Sequence, residues 1–113
     1  MSTDPVLVSP ELYRVIFEND RVRVLEYRDK PGDRTRPHDH PDSVMYPLAS
    51  FRRRITSGGR RVEVELTAGQ VRWVGAQEHE GENIGDTDSH ALFIELKEPA
   101  PAPAAPTLGP SAP

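Results

Sequence analysis

Apolar and polar residues alternate along most of this chain with a period of two, and no stretch keeps a helical period for longer than a turn or two. Leu12 to Phe17 and Arg21 to Arg28 are short runs rich in Val, Ile, Leu, Phe and Tyr, and Glu18-Asn19-Asp20 between them predicts a β-hairpin. Asp29-Lys30-Pro31-Gly32-Asp33 breaks the pattern, because proline presets its own φ and glycine accepts the angles a turn needs. A new strand carrying His38 and His40 is expected after it. From Ser43 to Thr56, Met45, Pro47, Ala49, Phe51, Arg53 and Ile55 share one parity, and this set is expected to face the interior. Ser57-Gly58-Gly59-Arg60 has the composition of a hairpin turn, and Val62 to Leu66 alternates strictly. Val71 to Val74 is the next strand, Gly75-Ala76-Gln77-Glu78 a turn, His79 to Ile84 a strand, Gly85-Asp86-Thr87-Asp88 a turn, and Ala91 to Lys97 the last strand. Turn signals recur about every ten residues, which predicts an all-β sandwich or barrel.

The two ends do not follow this pattern. Pro5 and Pro10 interrupt residues 1–11, which read as an irregular lead-in to an ordered unit at 12–97. Six of the twelve prolines fall between Pro99 and Pro113, so 98–113 reads as a disordered Pro/Ala-rich tail or a linker. One domain of this size buries a small core, and its short strands leave edges to cover, so a homodimer is expected. The net charge of -4 argues against a nucleic-acid surface; Arg52-Arg53-Arg54 and Arg60-Arg61 read as a solvated strand edge and hairpin. Without cysteine, disulfides, thiolate metal sites and cysteine nucleophiles are excluded. The N-terminus has no basic segment followed by an apolar core, and no apolar run reaches transmembrane length, so a soluble, cytoplasmic protein without membrane partners is expected.

The chemistry concentrates in the histidines. In an extended strand residues two apart share a face, so His38 and His40 set two imidazoles side by side. His79 is the candidate third ligand, and three imidazoles would leave a divalent metal with open positions, as catalytic sites require. Gly32-(five residues)-His38-Asp39-His40 followed by Gly69-(nine residues)-His79-(three residues)-Asn83 resembles the two signature motifs of the cupin superfamily. The resemblance covers roughly Leu12 to Lys97 and is closest to small stand-alone bacterial cupins, including those associated with beta-alanine degradation. It implies a small antiparallel jelly-roll barrel holding one divalent ion on His38, His40 and His79. Two departures stand out. The glutamate of the first motif is replaced by Val44 or Met45, with Met45 the better match by parity, and Gly75 stands where the second motif has proline, in a turn one residue shorter.

Three neutral imidazoles leave the ion's charge uncancelled, so a more electrophilic metal than in a two-histidine, one-carboxylate site is expected. Iron(II) and zinc(II) suit imidazole best, and nickel, copper, cobalt and manganese are compatible. Arg53, on the inferred inner face, and Arg36, of the same parity as His38 and His40, are candidates to grip a substrate carboxylate. Glu78, beside His79, is a candidate general base or a partner orienting an imidazole. Asn83 is assigned a structural hydrogen bond near the metal strand, and His90 the surface or a strand end. The expected function is a mononuclear metalloenzyme acting on a small anionic organic substrate, with three-histidine iron(II) dioxygenase chemistry first. The alternatives are a zinc-dependent lyase, isomerase or hydrolase, and a non-catalytic binding or sensing module.

Overall fold

A computed structural model describes residues 4–97, so the expectation for 98–113 lies outside the described residues. Among the described residues nine strands run in order: β1 (Tyr13–Glu18), β2 (Val22–Asp29), β3 (His38–His40), β4 (Ser43–Pro47), β5 (Phe51–Ser57), β6 (Arg60–Leu66), β7 (Arg72–Val74), β8 (Gln77–Asn83) and β9 (Ser89–Leu96). They form a five-stranded sheet, β1-β2-β9-β4-β7, and a four-stranded sheet, β3-β8-β5-β6, with every pairing antiparallel. This is an all-β jelly-roll fold.

The predicted hairpins form for the anticipated reasons. Asn19 closes the β1–β2 turn by accepting the backbone N–H groups of Arg21 and Val22 on its side-chain oxygen, and Gly58 and Gly59 both take positive φ between β5 and β6. The core is small: Tyr13, Leu25, Tyr27, Met45, Phe51, Leu66, Ala91 and Phe93. Among the described residues no helix is long and apolar enough to cross a membrane.

Three expectations need correction. Within the lead-in, Pro5–Val8 form a helical turn, α1, because Asp4 caps the Val6 N–H and proline at the first helical position has no N–H to waste. Pro5 and Ser9 are buried, Val6 packs on the core, and Ser9 Oγ accepts from Arg36 N, so the folded unit starts before Leu12. Second, Ser43 to Thr56 is two strands in different sheets. The chain turns at Leu48-Ala49-Ser50, where the Leu48 and Ala49 N–H groups both donate to the His90 carbonyl. Three residues separate Pro47 from Phe51, so the parity survives the corner, and Met45, Pro47, Phe51 and Arg53 are all buried. Third, β8 begins at Gln77 rather than His79, because Gln77 and Glu78 pair with His40 and Asp39 of β3.

Candidate metal centre

β3 and β8 bring the histidines together. His38 lies directly opposite His79, and His40 follows on the same face of β3. Ring centroids are 4.7 Å apart for His38 and His40, 4.9 Å for His38 and His79, and 5.2 Å for His40 and His79. Each residue offers one ring nitrogen, all within 4.8 Å of one another.

The remaining ring nitrogens decide which atoms those are. His38 Nδ1 donates to the Arg36 carbonyl at 2.7 Å, His79 Nδ1 to Gln77 Oε1 at 2.7 Å, and His40 Nδ1 to Glu95 Oε2 at 3.0 Å. All three partners are acceptors, so each Nδ1 carries a proton and Nε2 is the atom that each ring turns towards the cluster. His40 Nε2 is, among the described residues, the buried side-chain polar atom with no hydrogen-bond partner. Leaving such an atom unmet costs about 1–3 kcal/mol, which a cation on its lone pair would offset. Burial lowers the pKa of His38 to about 4 and of His79 to about 3, with His40 and Arg53 pushing both the same way. Both imidazoles are therefore neutral at physiological pH, the form that ligates. The donor set fits a divalent ion of borderline softness.

The expectation of an uncompensated ion is modified by β9. Glu95, buried on the same parity as Ala91 and Phe93, places a carboxylate on His40 Nδ1. Arg23 holds Glu95 with Nε at 2.9 Å and Nη2 at 2.7 Å, and Asp4 holds Arg23 Nη1 at 2.8 Å. Sequence reading missed Glu95, although a charge on the inward parity of an apolar strand was the available signal. Met45 is buried in the wall of the adjoining cavity, as its parity implied.

Arg53 is 8% exposed. Its Nη1 donates to Asp29 Oδ2 at 2.8 Å and to the Tyr27 hydroxyl at 3.1 Å, and its Cζ lies 4.8 Å from the centre of the Tyr27 ring. Asp29 also accepts from the Tyr27 hydroxyl, from Asn83 Nδ2 and from Ser89 N. Asn83 thus makes the structural hydrogen bond expected of it. The β5–β8 register sets Arg53 opposite Asn83, and the guanidinium extends along the inner face of β8 towards His79, over Gly81. A Cβ on Gly81 would sit 2.2 Å from Arg53 Nη2. Glycine inside a strand marks such a close approach. Gly81→Ala is therefore expected to displace the pinned guanidinium and lower stability by about 1–3 kcal/mol, leaving metal content unchanged. Thermal melts identical to the unmodified protein would show that Arg53 does not sit there.

Two candidates fall outside the cluster. Glu78 is exposed, because neighbouring residues on a strand face opposite ways and His79 takes the inner side; the strand corrects its reading as a base or orienting partner. Arg36 is exposed as well and contributes its backbone carbonyl instead of its charge. His90 pairs with Glu26 on the opposite parity of β9 from Glu95. Beside the histidines lies a cavity of about 280 Å³ lined by His79, Gln77, Arg53, Phe51, Met45 and Trp73, among others.

No protein-family model and no curated protein matches the chain. Among solved structures, a cupin domain from Bordetella pertussis Tohama I is 30% identical, with a TM-score of 0.72, over 77% of this chain and 93% of that one. An uncharacterized conserved protein with a double-stranded beta-helix domain from Klebsiella pneumoniae subsp. pneumoniae is 18% identical, with a TM-score of 0.61, over 75% of each chain. A predicted oxalate decarboxylase from Thermotoga maritima is 21% identical, with a TM-score of 0.54, over 75% of this chain and 79% of that one. The last two are alike in fold.

Proposed function

The chain belongs to the cupin superfamily, and from that premise we propose that it is a mononuclear metalloenzyme acting on a small organic anion, with iron(II) dioxygenase chemistry. The observation that carries this reading is the convergence of three Nε2 atoms whose Nδ1 partners are all acceptors, one of them buried with nothing to meet it. His38, His40 and His79 would hold the ion. Iron(II) there would supply the one-electron steps that oxygen activation needs, whereas zinc(II) would supply polarisation alone. Glu95, accepting the His40 Nδ1–H, would fix the orientation of that ring for either ion.

The other tasks fall to the chain itself. Arg53 orients the anionic group of the substrate, since its hydrogen bonds among the described residues all leave through Nη1. The Tyr13 hydroxyl stands 3.4 Å from His38 Nε2, and burial raises its pKa, so it stays a proton donor in the site. Phe51, Met45 and Phe93 exclude water from the inner wall. A homodimer belongs to the same reading, supported by edge strand β1, which exposes Val15, Ile16 and Phe17 beside a small core.

Elemental analysis of protein purified without added metal tests the proposal. Stoichiometric iron, oxygen consumption with an organic acid and a dimeric mass by light scattering are expected. Turnover with zinc in the absence of oxygen would replace dioxygenase chemistry by lyase, isomerase or hydrolase chemistry, and protein that takes up no divalent ion would overturn the metalloenzyme.

A further inference from the structure

Two of the three imidazoles are tethered, through intermediaries, to one short segment. His38 Nδ1 donates to the Arg36 carbonyl, and the N–H of the same Arg36 donates to Ser9 Oγ at 3.0 Å. His40 Nδ1 donates to Glu95, Glu95 accepts from Arg23, and Arg23 donates in turn to Asp4. Asp4 and Ser9 are the two caps of α1. Both ligands on β3 are thus held from the two ends of a single helical turn, whereas His79 on β8 leans on Gln77, two residues away on its own strand. Covering the core does not require this arrangement. Pro5 and Val6 serve the core, and Asp4 and Ser9 commit their polar atoms elsewhere. Asp4 Oδ1 accepts from the Val6 N–H at 2.9 Å and from Arg23 Nη2 at 3.2 Å, and Oδ2 accepts from Arg23 Nη1 at 2.8 Å, so one carboxylate caps the turn and clamps the guanidinium together. Ser9 is fully buried, and its carbonyl accepts the N–H of Tyr13, whose hydroxyl meets His38 Nε2 at 3.4 Å.

We infer that residues 4–9 belong to the candidate metal centre, with Asp4 and Ser9 as positioning residues that fix the ring orientations of His40 and His38. The consequence for a metal rests on the ligand set proposed above, but the two tethers do not. An imidazole aims its Nε2 only as well as the acceptor on its Nδ1 is placed. For His40 that acceptor is a carboxylate on a rotatable side chain. Arg23 stops the rotation, because its Nε and Nη2 both donate to Glu95 Oε1 and leave Oε2 for the ring. Asp4 keeps the guanidinium in that pose from its other edge. For His38 the acceptor is a backbone carbonyl, and Pro37 restricts Arg36 to extended backbone, so holding the Arg36 N–H on Ser9 also sets where its carbonyl points. Replacing the immediate partner of a ligand histidine costs about 10–100-fold in metal affinity, so loss of both more distant anchors together is expected to cost about tenfold.

The chain has four histidines, so a proton–nitrogen correlation spectrum of the imidazoles in the chelator-treated, full-length protein reads each ring, with His79 and His90 as controls. Asp4→Asn separates the tether from the cap, since asparagine caps a helix as well as aspartate does but lacks the charge that clamps Arg23. Asp4→Asn is expected to move the His40 signals and Ser9→Ala those of His38, while His79 and His90 stay in place. Glu95→Gln breaks the first tether at its middle, so adding Asp4→Asn to it is expected to move His40 no further. Titration with zinc(II) alone is then expected to show about tenfold weaker binding in the Asp4→Asn/Ser9→Ala pair, with the β circular dichroism retained. Unmoved His38 and His40 signals overturn the inference, and so does movement of His79 as large as that of His40, which would make α1 a general support of the fold. Unchanged zinc affinity in the pair overturns the consequence for the metal. The two readings fail separately: an unmodified protein that binds no zinc sinks the metalloenzyme, and the ring signals then still decide the tethers.

Discussion

If the three histidines hold the ion as proposed, replacing His79 by alanine is expected to abolish stoichiometric divalent metal in the purified protein, with affinity falling by more than about 100-fold. His79 comes from β8 and its two partners from β3, so its loss leaves an adjacent pair on a single strand and opens one whole side of the site. Two imidazoles do not hold an ion as three do, and the Nδ1–H bond to Gln77 fixes the orientation of the His79 ring. Gln77→Ala provides the graded comparison. It removes the orienting acceptor and keeps the ligand, so a loss of about 10–100-fold in affinity is expected. The measurement is metal titration with elemental analysis, alongside circular dichroism to establish that both variants keep the β fold. Full occupancy in folded His79→Ala would strike it from the ligand set.

The second large effect concerns stability. Asp29→Asn is expected to cost about 3–5 kcal/mol at neutral pH, because it leaves Arg53 buried without its counter-ion. Every partner of Asp29 is a donor: Arg53 Nη1 and the Tyr27 hydroxyl on Oδ2, Asn83 Nδ2 and Ser89 N on Oδ1. An amide in its place turns an NH₂ group towards donors. Burial by itself raises the Asp29 pKa, but the hydrogen bonds from Ser89 and Tyr27 and the charge of Arg53 outweigh it and hold the carboxyl below its ordinary value of 3.8. A carboxyl depressed in the folded state contributes stability that is present above the unfolded pKa and lost as pH falls through the folded one. The difference between the unmodified protein and Asp29→Asn is therefore full at neutral pH and shrinks in strong acid. Urea unfolding at both conditions measures it, and a difference that persists undiminished below the folded pKa would show that the carboxylate's charge is not its origin.

Much of the barrel was legible because β-structure with one face buried writes itself as period two. The hairpin at Asn19, the Gly58-Gly59 turn and the inward parity of Met45, Phe51 and Arg53 needed only residue type and spacing. His38 and His40 were paired by the same rule, since two residues along any strand return to the same face. Two readings made outside this rule went astray. Pro5 read as a breaker but starts a helical turn once Asp4 caps it, and Glu78 read as a neighbour of His79 when strand geometry sends the two to opposite faces.

What the sequence determined by itself, then, is the strand pattern and the identity of the three imidazoles, because both follow from local alternation and residue chemistry. What only the tertiary structure decided is everything that requires two distant segments to meet. His79 faces His38 because β8 pairs with β3 at that register, and another register would have separated them. Glu95 reaches His40 across 55 residues, and Arg53 reaches Asp29 across 24, through contacts between strands that no local periodicity encodes. Gly81 has a role only because the Arg53 side chain arrives above it. A charge inside a small core is tolerated where long-range partners satisfy it, and sequence separation says nothing of which partners those are.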